Sequence, residues 1–176
     1  MHSTATVAKW LERIFEHEKG LSMDRTDPGN WTGGKVGAGE LKGTKFGIAA
    51  NTYGHLDIAN LTLDDAADIY ISDFLALLKA DKYEDGVAYA LLDFAVHSGP
   101  HQAKRSLQRR LKVAVDGNIG PLTLAAIARY TEAQLILLVI AERMFFMADR
   151  ENFQSHGRGW MRRMALNCLY GVEDVA

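Results

Sequence analysis

The sequence predicts a mainly α fold of the α+β type, in which a helical bundle is accompanied by a small β-hairpin region beside the N-terminal helix. Two observations carry this prediction. Apolar residues recur at helical spacing over residues 4–19 and again from Thr62 onward, whereas residues 21–47 hold seven glycines and one proline. Such a stretch favours turns and short strands. The length of 176 residues suits a single domain, 1–176.

The first predicted helix covers residues 4–19 and ends at Gly20, a common helix-terminating residue. Its apolar stripe consists of Val7, Leu11, Ile14 and Phe15. Glu18 continues this stripe. The carboxyl group of Glu18 is therefore predicted to lie on the buried side of the last helical turn.

The helical pattern resumes at Thr62, which is predicted to cap a helix together with Asp65. The core face of this helix is predicted to consist of Leu63, Ala66, Ala67, Tyr70, Phe74 and Leu77. Further helices are predicted over residues 84–97, 101–112, from Pro121, 131–152 and 158–170. The 131–152 helix is the most apolar and is expected to cross the core.

Composition narrows the function classes. Cys168 is the single cysteine, so no intramolecular disulfide or cysteine-based zinc cluster is expected. The net charge of -2 combines an acidic stretch, residues 1–100, with a mildly basic remainder, which could meet anionic wall polymers or lipopolysaccharide but does not indicate a nucleic-acid partner. No stretch reaches the roughly 20 apolar residues of a membrane span, and no signal peptide is recognised, so we expect synthesis in the cytoplasm without membrane insertion.

Glu18 is the first candidate for chemistry. Burial and the negative end of the helix dipole both favour the protonated form of a carboxyl group placed there, which makes it a candidate proton donor. A glycosidase needs such a donor for its leaving sugar oxygen. Periodicity alone is equally satisfied by an ordinary surface glutamate at a helix end.

A second carboxyl group follows in the turn sequence Thr26-Asp27-Pro28-Gly29-Asn30, and Thr44 precedes Lys45-Phe46-Gly47-Ile48. A polar loop that places Asp27 opposite Glu18 would separate the pKa values of two carboxyls across a cleft, as glycoside hydrolysis requires. Asp27 is also a typical residue of an Asp-Pro-Gly turn. Glu40 is a third carboxyl group, either a substrate contact or a solvated loop charge.

The residues named above resemble the signature of a known family. The run from His17 to Ile48 resembles the N-terminal signature of glycoside hydrolase family 108, the muramidases of phage endolysins and prophage "secretion activator" proteins. The family's Glu-Gly-Gly-like start, Asp-Pro-Gly turn and Thr-x-x-Gly-Ile end correspond here to Glu18, Asp27 to Gly29, and Thr44 to Ile48. Lys19 stands where the family often has glycine. The resemblance implies a lysozyme-like fold and a Glu, Asp and Thr catalytic triad.

The second half resembles the peptidoglycan domain that is usually fused to this family, in residues 91–99, in Leu107-Gln108, and in the segment from Asp116 to Thr123. Its ending, Gly159-Trp160-x-x-Arg163, is also similar. The resemblance divides the chain into a catalytic part, 1–90, and a helical part, 91–176. It suggests Glu40, Gly47, His97 and Trp160 as substrate contacts, with His97 standing where the family commonly has asparagine.

The resemblance implies an endolysin that hydrolyses the β-1,4 bond between N-acetylmuramic acid and N-acetylglucosamine and so lyses the host cell. Its partners would be bacterial peptidoglycan and a separate holin-type pore for release, and we expect a monomer. No cofactor is expected, nor a metal, because Gly99 and Pro100 break the helix between His97 and His101. The alternatives are a lytic transglycosylase using the same Glu18 and a non-catalytic wall-binding or secretion-regulating protein.

Overall fold

The computed structural model describes residues 2–17 and 20–175, without the side chains of Thr4 and His17. Glu18 and Lys19 lie outside the described residues. The contacts within the chain group it into two compact units. The first, here the hairpin unit, comprises Val7–Ser72, and the second, the helical unit, comprises residues 2–6 and 73–175. The mainly α fold with a small β region is confirmed.

The helix α1 spans Thr4–His17, and the hairpin unit begins within it, at Val7. This part of α1 buries Trp10, Leu11 and Ile14. A small antiparallel sheet follows, with strand order β1-β2-β3. Its strands are β1 (Leu21–Ser22), β2 (Thr44–Lys45) and β3 (Ile48–Ala49), and a 3-10 helix, Pro28–Asn30, lies in the loop between β1 and β2. The unit continues with α2 (Ala50–Tyr53), a 3-10 helix (Ile58–Asn60) and α3 (Leu63–Ile69).

The turn between β2 and β3 explains the Phe46-Gly47 pair. Lys45 pairs with Ile48, so the loop has two residues, and both have positive φ, +52° at Phe46 and +74° at Gly47. This is the backbone of a type I′ hairpin turn, which matches the twist of the flanking strands and favours glycine. Gly47 is therefore required for the turn itself.

The helical unit is built around α5, Asp85–Ser98, whose residues 86–95 are all buried. Packed against α5 are α6 (Pro100–Leu111), α8 (Glu132–Ala148) and α9 (Phe153–Asp174), and α7 (Pro121–Ile127) contacts α6. The bounds of α5, α6 and α7 agree with the predicted ones to within a residue or so, and α9 is longer at both ends than the predicted 158–170. The most buried helix is α5 rather than the more apolar α8, which exposes Leu137 and Phe145.

The segment after Thr62 confirms the predicted cap and corrects part of the predicted core face. Thr62 and Asp65 form a reciprocal capping box. Leu63, however, is 52% exposed and Leu77 is 55% exposed, so their assignment to the core was wrong. The physical reason for Leu77 is a π-helical segment, Tyr70–Leu75, between α3 and α4 (Ala76–Leu78). The wider turn of a π-helix contains more residues than an α-helical turn, so the next buried position comes one residue later in the sequence.

As a result Leu78 is fully buried while its neighbour Leu77 is exposed. The error at Leu63 has a different cause, since the residue immediately after the cap lies at the solvent side of the first turn.

The described helices differ from membrane-spanning ones in length or in polarity. None of them is by itself long and apolar enough to cross a bilayer, and a single sharply bent pair, Pro121–Ile127 with Glu132–Ala148, meets the length and composition criteria only when joined.

The π-helical register yields a stability prediction. Leu78→Ala is expected to lower the free energy of unfolding by about 2–5 kcal/mol, because it empties a fully buried site. Leu77→Ala, one residue earlier, is expected to change it by less than about 0.5 kcal/mol. Urea unfolding of both variants measures the difference. A larger loss for Leu77→Ala would contradict the register.

Candidate active site

The side chain of Asn30 joins three segments of the hairpin unit and is completely buried. Its Oδ1 accepts a hydrogen bond from Oγ1 of Thr44 at 2.7 Å, and its Nδ2 donates to the backbone carbonyl of Asp24 at 2.9 Å. Its own carbonyl accepts from the backbone N–H groups of Lys42 and Gly43. Asn30 therefore fixes the loop after β1 against the start of β2.

This network determines how Thr44 can act. The Thr44 hydroxyl donates a hydrogen bond to Oδ1 of Asn30, and Thr44 itself is partly buried in β2. A hydroxyl whose proton is committed offers a nearby water molecule only its lone pairs. A water bound to Thr44 would thus donate a hydrogen bond to the Thr44 hydroxyl oxygen and keep its own lone pairs available for other chemistry.

Asp27 lies at the start of the 3-10 helix Pro28–Asn30 and caps it. Its Oδ1 accepts a hydrogen bond from the Gly29 backbone N–H at 2.8 Å, and its side chain is exposed. The interpretation of Asp27 as a turn residue is therefore confirmed. The same three-residue helix ends at Asn30, so the structure connects Asp27 to Thr44 through Asn30.

Glu18 itself is outside the described residues, but the last turn of α1 before it has a defined position. The ring of Phe15 packs against Phe46 at 5.5 Å and against Tyr70 at 5.8 Å between centroids. The Tyr70 hydroxyl donates to the Phe46 carbonyl at 2.7 Å. The end of α1 is thereby anchored to the β2–β3 turn. The separation of about 6.5–9.5 Å between Glu18 and Asp27 that an inverting enzyme requires stays a prediction.

Asp24 is a carboxyl group that the sequence reasoning missed. Its Oδ1 accepts from the backbone N–H of Thr26 at 2.8 Å and from the Thr26 hydroxyl at 2.7 Å. These hydrogen bonds lower the pKa of Asp24, because they stabilise its ionised form. The Asp-x-Thr spacing is the sequence signal for such a turn. The loop that holds Asp27 therefore also carries the ionised carboxylate of Asp24.

Glu40 occupies a different part of the hairpin unit. It is exposed, and its Oε2 lies 3.7 Å from Nζ of Lys42. Both line an open cleft of about 500 Å³ together with residues that include Leu21, Met23 and His55. Neither Asp27 nor Thr44 lines this cleft. Glu40 is thus brought to a cavity, but not to the Asp27–Asn30–Thr44 network.

His97 and Trp160 meet in the helical unit. The two rings pack edge to face with centroids 5.5 Å apart, and His156 stacks on Trp160 at 5.8 Å. The Nδ1 atom of His97 lies 3.0 Å from the Ser98 hydroxyl. The predicted pair of substrate contacts therefore forms one partly exposed aromatic cluster.

Asp93 lies one helical turn before His97 and forms the buried charged centre of the helical unit. It is ion-paired with Arg143 and Arg163, and Nδ2 of Asn167 donates to it at 2.8 Å. Burial by itself would raise the pKa of Asp93, but the Coulombic attraction of the two arginines and their hydrogen bonds together hold it far below its usual range. Two guanidinium groups around one carboxylate leave the cluster with a net positive charge.

The pKa of His97 responds to this cluster. Burial, followed by repulsion from Arg143 and Arg163, lowers it from 6.5 to about 4, against a weaker opposing effect of Asp93. His97 is therefore neutral near pH 7, with one ring nitrogen that donates and one that accepts a hydrogen bond. That state suits a contact to sugar hydroxyl or amide groups.

The positions of the His, Cys, Asp and Glu side chains determine whether a metal ion could bind. Within residues 2–17 and 20–175, no three His, Cys, Asp or Glu side chains are grouped so that they could hold a metal ion. His97 and His101 belong to different helices, α5 and α6.

Comparison with known proteins identifies the family. A family model described as "Glycosyl hydrolase 108" matches residues 11–99. The chain belongs to this family. A second model, "Predicted Peptidoglycan domain", matches residues 102–165. The family 108 match covers Asp27, Thr44 and the missed residue Asn30, as well as His97.

The family 108 fold is supported by a solved structure. SagA from Brucella abortus is 28% identical, with a TM-score of 0.83 over 98% of this chain and 97% of that chain. No curated protein matches the chain. The predicted lysozyme-like fold is confirmed, and the chain is a glycoside hydrolase with peptidoglycan as its substrate.

The role of Asn30 yields a second prediction. Asn30→Ala is expected to lower the free energy of unfolding by about 2–4 kcal/mol, because it leaves the Thr44 hydroxyl and the Asp24 carbonyl without their partner. Asn60→Ala, an exposed asparagine in the same unit, is the control and is expected to cost less than about 0.5 kcal/mol. Equal losses in urea unfolding would contradict the role given to Asn30.

His97 yields a prediction on pH. In the unfolded chain His97 binds a proton near pH 6.5, but in the folded protein only near pH 4. Between these values the unfolded state binds more protons, so stability falls as the pH drops from about 6.5 to about 4, by at most about 1.4 kcal/mol per pH unit. Above pH 6.5 the contribution is constant.

The measurement is urea unfolding of wild type, His97→Asn and the exposed control His101→Asn at pH 7 and pH 5. His97→Asn is expected to lose less stability on acidification than the other two proteins. Asp93 does not interfere at pH 7 or pH 5, because the stability that it contributes is lost only as the pH falls below its unfolded pKa of 3.8. An unchanged pH dependence in His97→Asn would show that His97 is protonated normally.

Proposed function

We propose that this protein is a muramidase of the phage endolysin type, which hydrolyses the β-1,4 bond between N-acetylmuramic acid and N-acetylglucosamine and causes host cell lysis. The observation that carries the proposal is the family 108 match over Asp27 and Thr44. Asn30 links the two residues, because its backbone N–H donates to the Asp27 carbonyl and its side chain accepts from the Thr44 hydroxyl. The proposed domain organisation is one domain, 1–176, with a catalytic part, 1–90, and a helical part, 91–176.

In the proposed reaction, Glu18 transfers its proton to the leaving sugar oxygen as the bond from that oxygen to the anomeric carbon breaks. A water molecule then bonds to the anomeric carbon and gives up one proton to the Asp27 carboxylate. The Thr44 hydroxyl accepts a hydrogen bond from this water, because its own O–H group already donates a hydrogen bond to Asn30. Attack from the face opposite Glu18 would invert the configuration.

The remaining expectations belong to the same proposal. Glu40, Gly47, His97 and Trp160 are proposed substrate contacts, with Gly47 acting through the backbone of its turn. The protein would be made in the host cytoplasm as a monomer and reach the periplasmic cell wall through a separate holin-type pore. No cofactor, nucleic acid or stable membrane insertion is part of the proposal.

The catalytic assignment is tested by turbidity loss of permeabilised Gram-negative cells. Glu18→Gln is expected to lower the rate by about 100- to 10,000-fold, the usual effect of removing a general acid. Asp27→Asn is expected to have a smaller effect. Glu16→Gln, an exposed glutamate on α1, is the matched control and should lyse like wild type. Comparable lysis by wild type and Glu18→Gln would end the proposal. If Glu18→Gln retains both wall binding and the biological effect, a non-catalytic role is favoured.

The products of the same digestion separate hydrolysis from transglycosylation. Mass spectrometry of the soluble fragments is expected to find reducing-end N-acetylmuramic acid, because water is the acceptor. A 1,6-anhydro product would instead show that the muramic acid's own hydroxyl replaces water, and would identify a lytic transglycosylase.

A further inference from the structure

The helical unit carries a second candidate binding site, remote in sequence from the Asp27–Asn30–Thr44 network. It is a surface groove of about 740 Å³ between the starts of α5 and α8 and the helix α7. This volume is within the range of roughly 300–1,000 Å³ that small-ligand sites occupy. Its lining includes apolar residues (Leu124, Ile127, Leu135), tyrosines (Tyr83, Tyr130) and carboxylates (Asp81, Glu84, Glu132).

The charge of the groove limits what can bind there. The described residues that line it include three carboxylates (Asp81, Glu84 and Glu132) and one cation, Lys82. The Nζ atom of Lys82 lies 2.6 Å from Oδ2 of Asp81. The groove is therefore net negative and would repel an anionic ligand. Glu132 is held in place because its Oε1 accepts a hydrogen bond from the Gly86 backbone N–H at 2.7 Å. Fixed carboxylates of this kind accept hydrogen bonds from hydroxyl and amide groups.

Tyr83 provides an independent indication of a missing ligand. Its side chain is 8% exposed, and no residue in the described part of the chain hydrogen-bonds to its buried hydroxyl. Buried polar groups almost always have a partner, so an unpaired one calls for an explanation. Burial and the neighbouring Asp81 raise the pKa of Tyr83, so the hydroxyl keeps its proton and remains a hydrogen-bond donor.

Tyr130 adds an exposed aromatic surface. It lies between α7 and α8 and is 37% exposed while lining the groove. Aromatic rings present large, rigid apolar faces, and the C–H face of a pyranose ring is also apolar. The combination of such a face with carboxylate acceptors and one hydroxyl donor matches a neutral sugar that carries hydroxyl and acetamido groups.

We propose that this groove binds the N-acetylated glycan strand of peptidoglycan as a non-catalytic site. A sugar ring stacks on Tyr130, its hydroxyl and amide N–H groups donate to Glu84 and Glu132, and the Tyr83 hydroxyl donates to a sugar oxygen. The inference rests on the proposed function, and it assigns to the groove the wall contact of the helical unit, whose residues 102–165 match the peptidoglycan domain.

The test uses the full chain carrying Glu18→Gln, so that the probe is not cleaved. The probe is the β-1,4-linked hexamer of N-acetylglucosamine, titrated into ¹⁵N-labelled protein. We expect chemical-shift changes at the amides of residues 81–84 and 127–132. Tyr130→Ala is expected to weaken binding at this site about tenfold. Tyr83→Phe, which removes only the hydroxyl and keeps the ring in the core, is expected to weaken it about three- to fivefold.

The matched control is Leu122→Ala, a 79% exposed residue of α7 that does not line the groove, and it should bind like the parent. Shifts confined to residues 20–60 would overturn the proposal, as would groove shifts produced by free stem peptide but not by the hexamer. Neither result would touch the proposed hydrolysis, which is decided separately by the lysis and product measurements on the protein with native Glu18.

Discussion

The hairpin unit depends on one buried side-chain amide. Asn30 is the group that satisfies the Thr44 hydroxyl and the Asp24 carbonyl at once, in a site with no solvent exposure. Short two-residue strands cannot hold a glycine-rich region in place through their own ladder, because they contribute few backbone hydrogen bonds. The amide supplies the missing cross-links. Because the Thr44 hydroxyl donates to Asn30, it can act only as a hydrogen-bond acceptor toward a bound water.

The second constraint is the anchoring of α1 at the β2–β3 turn. Phe46 adopts a left-handed conformation that non-glycine residues normally avoid at some energetic cost. Here the strain is offset by the ring contact with Phe15 and by the Tyr70 hydrogen bond to the Phe46 carbonyl. The strained residue is thus the one that α1 and Tyr70 both contact. The geometry of the α1 end, where a proton donor is proposed, is linked in this way to the hairpin.

Sequence patterns predicted the features that are encoded locally. The Thr62–Asp65 capping box, the helix start at Pro121 and the turn-rich region all follow from short-range chemistry. The π-helical segment, Tyr70–Leu75, could not be predicted in this way, because no local sequence signal marks its wider turn; its residues Tyr70 and Phe74 are both buried. Extrapolating an ideal helix across it consequently placed Leu77 in the core.

The candidate site shows the same division. Asp27 and Thr44 stand in recognisable motifs, so their residue types and their spacing are enough to indicate chemistry. Asn30 occupies an ordinary turn position in the sequence, and its importance arises only when residues 14 positions apart meet. The neutral state of His97 likewise depends on its burial and on repulsion from Arg143 and Arg163, which are distant in sequence. A pattern identifies which groups can react, whereas protonation state and hydrogen-bond direction are set by tertiary neighbours. The mechanism proposed for this glycoside hydrolase therefore takes its residues from the sequence and the direction of its key hydrogen bond from the fold.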